Sequence, residues 1–287
     1  MLNFIISAIK IIFVLGFLIF IHEGGHFLVA KLCKVRVNEF AIGFGPTIWK
    51  KQGKETKYAL RLVPLGGFVS MEGEEEHSDK EGSFSKASVW KRIAIVAAGA
   101  TVNIIFAIIV FFILASILQK SIEYGFISTG KFISSIFESV RMLFTGNVGM
   151  NDMMGPVGLG SVVSSTTEIA DFVYILSVIS LSLGVTNLLP IPALDGGKIL
   201  ILIIEAIRRK PMKEELEMKI QMLGFAFLIT LSLIVTYNDI ARILWVWVIF
   251  GTGTKITMLM FFNRNFSRLV HKLFYEWYSK LKTISLF

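Results

Sequence analysis

Residues 93–118 read IAIVAAGATVNIIFAIIVFFILASIL, without one charged side chain. An apolar run of about 20 residues is long enough to cross the hydrocarbon core as a helix. In lipid every backbone polar group must be paired internally, so helices and closed barrels are the only structures that span it. Three more runs are long and predominantly apolar: residues 2–32, 172–189 and 220–237. Composition agrees, since 54% of the 287 residues are hydrophobic and 17% are charged. Soluble domains are about 45–50% apolar even when glycine is counted. The expected fold class is an all-α polytopic membrane protein with about four to five transmembrane helices and a small membrane-associated β-region after the first. The stretch 244–262 is apolar but carries Gly251, Gly253 and Lys255, and reads equally as a fifth crossing or an interfacial helix.

Residues 1–21 lack a basic n-region and an A-x-A-like cleavage site, so the first span is expected to be retained. Lys10 interrupts it and is expected to snorkel toward the interface. The single cysteine, Cys33, excludes an intramolecular disulfide framework and a cysteine-rich zinc site. The net charge of +8 reads as basic loops facing anionic lipid rather than as a nucleic-acid surface. Lys and Arg number 12 between residues 31 and 92, 3 between 119 and 171, and 6 between 198 and 219. Positive loops stay inside. The first and third connections are therefore expected in the cytoplasm, with the N-terminus outside. The 7 basic residues after 238 favour a fifth crossing.

The segment 35–70 alternates apolar and polar residues, is rich in β-branched side chains and carries paired glycines, which predicts short strands with turns. Such backbone at the membrane surface needs protein around it. Residues 131–144 repeat apolar side chains at helical spacing and predict an amphipathic helix on the outer surface.

Within the first run stands HEGGH. His22 and His26 are four apart, so on a helix they share one face, with Glu23 beside them. Two imidazoles suit zinc, and the carboxylate is placed to take a proton from a metal-activated water. Ionisable residues inside an apolar span are costly and mark function. A catalytic zinc site takes a third protein ligand. His77 lies in an acidic loop and His271 in the basic tail, so a carboxylate is expected. Asp195, in TNLLPIPALDGGKI, is the candidate. It follows the third span, between Pro190, Pro192, Gly196 and Gly197, where a helix must break. Taken alone, Asp195 also reads as a turn residue or N-cap, and Asn187 as an interhelical hydrogen-bonding residue. Lys198 and the basic residues 208–210 read as solvated or headgroup-facing charges.

These blocks resemble the site-2 proteases, the intramembrane zinc metalloproteases of regulated intramembrane proteolysis, and among them the bacterial envelope-stress type that cleaves membrane-bound anti-sigma factors. The likeness is carried by HEGGH at 22–26, NEFAIGFGP at 38–46, RLVPLGGFVSMEGE at 61–74, SKASVWKRIAIVAAGATVNIIFAI at 85–108, GPVGLG at 155–160, NLLPIPALDGG at 187–197 and YND at 237–239. It covers residues 1–242, leaving 243–287 as an extension. The resemblance implies that His22, His26 and Asp195 bind one zinc ion and that Glu23 is the general base. It implies that Asn187 positions substrate or stabilises the oxyanion, and that Gly66, Gly67 and Phe68 meet the substrate strand by edge addition. The implied substrate is a single-pass membrane protein, such as an anti-sigma factor or a signal-peptide remnant. The implied location is the bacterial cell membrane, with the active site toward the cytoplasm.

Relatives of this type carry one or two PDZ domains between the second and third spans. Here 36 residues separate Leu118 from Gly155, whereas a PDZ domain needs roughly 80–100, near the lower end of ordinary domain size, so no PDZ domain is expected between these spans. Two other readings stand beside the protease. An intramembrane metal transporter also uses buried His and Asp, and a catalytically silent membrane adaptor keeps the fold without the chemistry.

Overall fold

A computed structural model describes residues 2–74, 76, 78–146 and 154–250 of the chain. Helix α1 (Leu2–Leu32) leads into two long, bent strands, β1 (Val37–Gln52) and β2 (Lys57–Met71). Helices α2 (Val89–Gln119), α3 (Ile122–Thr145), α4 (Pro156–Ser165), α5 (Ile169–Asn187), α6 (Asp195–Arg208) and α7 (Glu214–Phe250) follow. Four helical segments are long and apolar enough to cross a membrane: Ile5–Leu32, Val89–Gln119, Ile169–Asn187 and Glu214–Arg242.

Helix α2 is the hub, packed on by α1, α3, α5 and α6. Its buried positions are mostly small: Ala98, Gly99, Ala100, Asn103, Ala107 and Ala115. Apolar helices in lipid gain nothing from hiding apolar area, so they associate through close backbone approach at small residues. Two glycines meet the α2 backbone equally closely: a Cβ on Gly25 of α1 would lie 2.7 Å from the carbonyl oxygen of Ala98, and one on Gly184 of α5 2.7 Å from that of Ala100.

The β-region is built by folding two strands back on each other. The first part of β1 pairs antiparallel on both sides, with the end of β2, Val37 opposite Met71 and Ile42 opposite Gly67, and with its start, Glu39 opposite Lys57 and Ile42 opposite Leu60. The second part pairs with the start of β2, Phe44 opposite Val63 and Gln52 opposite Lys57. Between the two parts, Gly43 (φ 89°) and Gly45 (φ 83°) occupy left-handed conformations that a side chain would strain. They let β1 bend so that its second part pairs with the start of β2 on the side opposite its first part. Phe40 meets Phe27 of α1 at 5.3 Å and Phe20 at 6.1 Å between ring centroids, so the sheet lies against the second half of α1.

Several expectations need correction. The helix predicted over 131–144 on the outer surface begins at Ile122 and folds back along α2. Phe132 stacks on Phe111 at 4.1 Å and Phe126 meets Phe112 at 4.8 Å. The contact runs through Gly125 against Ser116, small residues that carry no hydrophobic period. Lys10 has a partner in the protein. Its ammonium donates to the carbonyl oxygen of Thr166 at the C-terminal end of α4, where a helix dipole favours a cation. The fourth span is longer than 220–237, because α7 starts at Glu214 and continues without a break through residues 244–250. The remainder of the proposed fifth span, the basic tail and His271 lie outside the described residues, as does His77.

Candidate metal centre

Three side chains from two distant elements converge. Helix α1 carries His22, Glu23 and His26, and α6 begins with Asp195. His22 Nε2 lies 3.2 Å from Asp195 Oδ2, His26 Nε2 lies 3.5 Å from the same oxygen, and the two Nε2 atoms are 3.2 Å apart. Ligand bonds of about 2.0–2.1 Å in a tetrahedron set neighbouring donor atoms about 3.3 Å apart, so the three fit one face of a zinc coordination shell. The carboxylate oxygen is buried and has no hydrogen-bond donor. Three lone-pair-bearing atoms aimed at one point repel each other unless a cation sits among them. Among the described residues this is the one group of three His, Cys, Asp or Glu side chains able to hold a metal ion.

Each ligand is held by its own local reason. His26 Nδ1 is 2.8 Å from the carbonyl oxygen of Ile95 in α2; donating there leaves Nε2 unprotonated for metal. His26 reaches that carbonyl because Gly99 has no side chain, since a Cβ there would lie 2.3 Å from His26 Nε2. His22 Nδ1 lies 3.3 Å from the amide nitrogen of Asn103. The tautomer that frees Nε2 of His22 carries its proton on Nδ1. Asn103 Oδ1, otherwise without a partner, accepts that proton after a half-turn of the amide. Asn103 is fully buried and its backbone carbonyl accepts from Ser180 of α5 at 2.8 Å, which fixes its position.

Asp195 is the first residue of α6, not its cap; that place is taken by Leu194. The turn reading therefore gives way to a side chain pointed at the histidines. Glycines at 196 and 197 pass close beneath the preceding turn, where a Cβ would lie 2.2 Å from Leu189 O and 2.3 Å from Ile191 O respectively. Lys198 is not a solvated charge. One helical turn past Asp195, its ammonium meets Glu74 at 2.7 Å and sits 5.1 Å from the centre of the Phe84 ring. A second pair, Arg92 with buried Glu205 at 3.0 Å, ties α6 to the start of α2.

The edge formed by residues 67–71 passes directly over the site. A Cβ on Gly67 would lie 3.1 Å from Glu23 Cγ and 3.2 Å from Ile19 Cγ2, so only hydrogen separates this strand from Glu23. Phe68 is stacked under the guanidinium of Arg61, 4.9 Å from the ring centre. Gly66 (φ 139°) lies against the Phe44 ring. Asn187 is the last residue of α5 and half-buried. The sequence reading passed over Asn103, Gly99 and the Ile95 carbonyl. The four-residue spacing of Gly99 and Asn103 was the available signal, because it places a glycine and an amide on one face of an otherwise apolar helix.

Four helices able to cross a membrane and a three-residue group able to hold a metal ion mark the class as a membrane metallopeptidase. The chain belongs to peptidase family M50, whose family model matches residues 10–231, and it is a site-2 protease by type. Similar proteins include a candidate zinc metalloprotease of Clostridium acetobutylicum, 29% identical, with 78% of this chain and 94% of that protein aligned. They also include zinc metalloprotease RasP of Bacillus licheniformis, 25% identical over 83% of this chain and 99% of that one. The regulator of sigma-W protease RasP of Bacillus subtilis is 24% identical over 84% and 99% respectively. The alignment with the Bacillus licheniformis protein extends over 415 positions, more than the 287 residues of this chain. RasP therefore has residues with no counterpart here.

Proposed function

We propose that this zinc metalloprotease hydrolyses a peptide bond in or near the transmembrane segment of a single-pass membrane protein. The observation that carries the reading is the meeting of His22, His26 and Asp195 inside an apolar bundle, with Glu23 beside them. Zinc is the cofactor, and His22, His26 and Asp195 would hold it; bound there, it supplies the Lewis acid that polarises the scissile carbonyl and acidifies water. Glu23 accepts the proton of the attacking water and returns it to the departing amide nitrogen. Its position on α1 keeps it on the same helical face as the ligands.

A transmembrane substrate arrives as a helix with no free backbone groups. It must unwind before its amide can react, and unpaired amides in lipid cost several kcal/mol each. The edge at Gly66, Gly67 and Phe68 offers a strand to pair with, which offsets that cost beside the base. Asn187, at the mouth of the turn leading to Asp195, has the donor needed to orient the substrate carbonyl. The name of the Bacillus subtilis relative supports substrates of the anti-sigma-factor kind, and signal-peptide remnants share the single-pass chemistry. The distribution of basic residues among the loops supports an N-terminus outside and a metal centre toward the cytoplasm, in a bacterial cell membrane.

Glu23→Gln should retain one zinc per chain and lose cleavage of a single-pass reporter in proteoliposomes; full cleavage by that variant would sink the mechanism. Asp195→Ala should lose the metal. A zinc content equal to wild type would remove Asp195 from the ligand set.

A further inference from the structure

We propose that α7 is the support of the metal-ligand loop, with Gln221 and Gly224 as positioning residues for Asp195. The inference rests on Asp195 being a zinc ligand. The loop between α5 and α6 accounts for its own backbone donors almost entirely. Leu188 N donates to Gly184 O, Leu189 N to Thr186 O, Ile191 N to Leu189 O, and Leu194 N to Ile191 O. Pro190 and Pro192 have no N–H. One donor is left, that of Ala193, and it is met from another element: it donates to Gln221 Oε1 of α7 at 2.6 Å.

Ala193 is also the strained residue of the loop. Its φ of +73° is a conformation that a side chain disfavours, and such strain persists only where surroundings enforce it. The enforcing contact lies one residue back. Gly224, one turn along α7 from Gln221, is buried and packs onto Pro192; a Cβ there would lie 2.3 Å from Pro192 O and 2.4 Å from Pro192 Cβ. Residues three apart share a helix face, so one face of α7 grips two consecutive loop residues, ending two positions before Asp195. The rest of this stretch of α7 is open, with Met222 65% and Leu223 72% exposed. Gln221 and Gly224 are thus its local attachment to the loop. Partners that orient a metal ligand are worth about 10–100-fold in metal affinity.

The test uses the full chain in detergent, with zinc affinity from chelator competition and the visible spectrum of the cobalt(II) form. Gln221→Leu removes the acceptor at similar size; it should weaken zinc binding about tenfold or more and change the cobalt spectrum. Gln221→Glu keeps the acceptor oxygen and should stay near wild type on both readouts. Gly224→Ala pushes α7 off Pro192 and should act like Gln221→Leu, which covers the case in which that variant does not fold. Wild-type affinity and spectrum in Gln221→Leu or Gly224→Ala, or equal losses in the Leu and Glu variants, overturn the proposal. Asp195→Ala separates the two levels. If it binds zinc normally, the ligand assignment fails; if it loses zinc while the α7 variants do not, only the present inference fails.

Discussion

Asn103 carries more of the metal centre than its place in an apolar helix suggests. It is fully buried, and an unmatched amide there would be costly. Its worth lies in the tautomer of His22. Asn103→Leu should weaken zinc affinity by about ten- to a hundredfold, read by chelator competition, with helix content unchanged by circular dichroism; an unaltered affinity would remove it from the site. Gly99→Ala should be at least as harmful, since its methyl would lie 2.3 Å from His26 Nε2 and the carbonyl beyond cannot move. At this scale the sequence was legible for half of the site. His22, Glu23 and His26 announce themselves by charge inside an apolar run, and Asp195 by its proline and glycine surroundings. Asn103, Gly99 and Gln221 do not, because their roles depend on which helix lies opposite, and a local pattern contains no such information.

At the scale of elements, the boundaries of α1 were readable because a continuous apolar run ends in basic residues, whereas α3 and α4 were not. The start of α3, ahead of its apolar period, packs through Gly125, Ser128 and Thr129, and α4 is ten residues held at its ends by groups from α1 and α7. Neither contact has a hydrophobic period. The turn after β2 has its own electrostatics. Glu72 is held down to about 2 by the Ser78 hydroxyl first, then by Lys80 and Asn38. Its folded value lies below its ordinary 4.5. The contribution of these bonds is therefore whole above pH 4.5, declines below it, and vanishes as the pH falls through about 2. Limited proteolysis with an acid-active protease should find the 72–86 turn protected at pH 4 and cut near pH 2, whereas Glu72→Gln should be cut equally at both. Strand β2 gives a separate prediction. Gly67→Val places a side chain between the strand edge and Glu23. It should raise KM or abolish cleavage while leaving zinc content intact; unaltered kinetics would exclude the 67–71 edge from substrate contact.

For the whole molecule, the count of basic residues predicts topology, and the lone Cys33 makes it measurable. In a Cys33→Ser background, a cysteine at Ser121 should react with an impermeant maleimide added outside intact cells. One at Met212 should react only after the membrane is opened. The reverse pattern would invert the orientation. This scale was the most legible, because the solvent imposes it. Lipid forces helices, their length sets the spans, and charge sets their direction.

The two ends of α4 have a consequence in time. Lys10 waits for Thr166, which is 156 residues later in the chain, and the partner at the other end, Asp239, comes later still. At about 5–20 residues per second of synthesis, Lys10 spends roughly ten to thirty seconds in the membrane without the carbonyl that receives it. His22 and His26 wait comparably long for Asp195. A newborn first helix therefore carries Lys10, His22 and His26 without these partners, and Glu23 beside them. Its first tens of seconds depend on whatever shelters it at the insertion machinery, and the protease cannot hold its metal in the final geometry until the third span has turned.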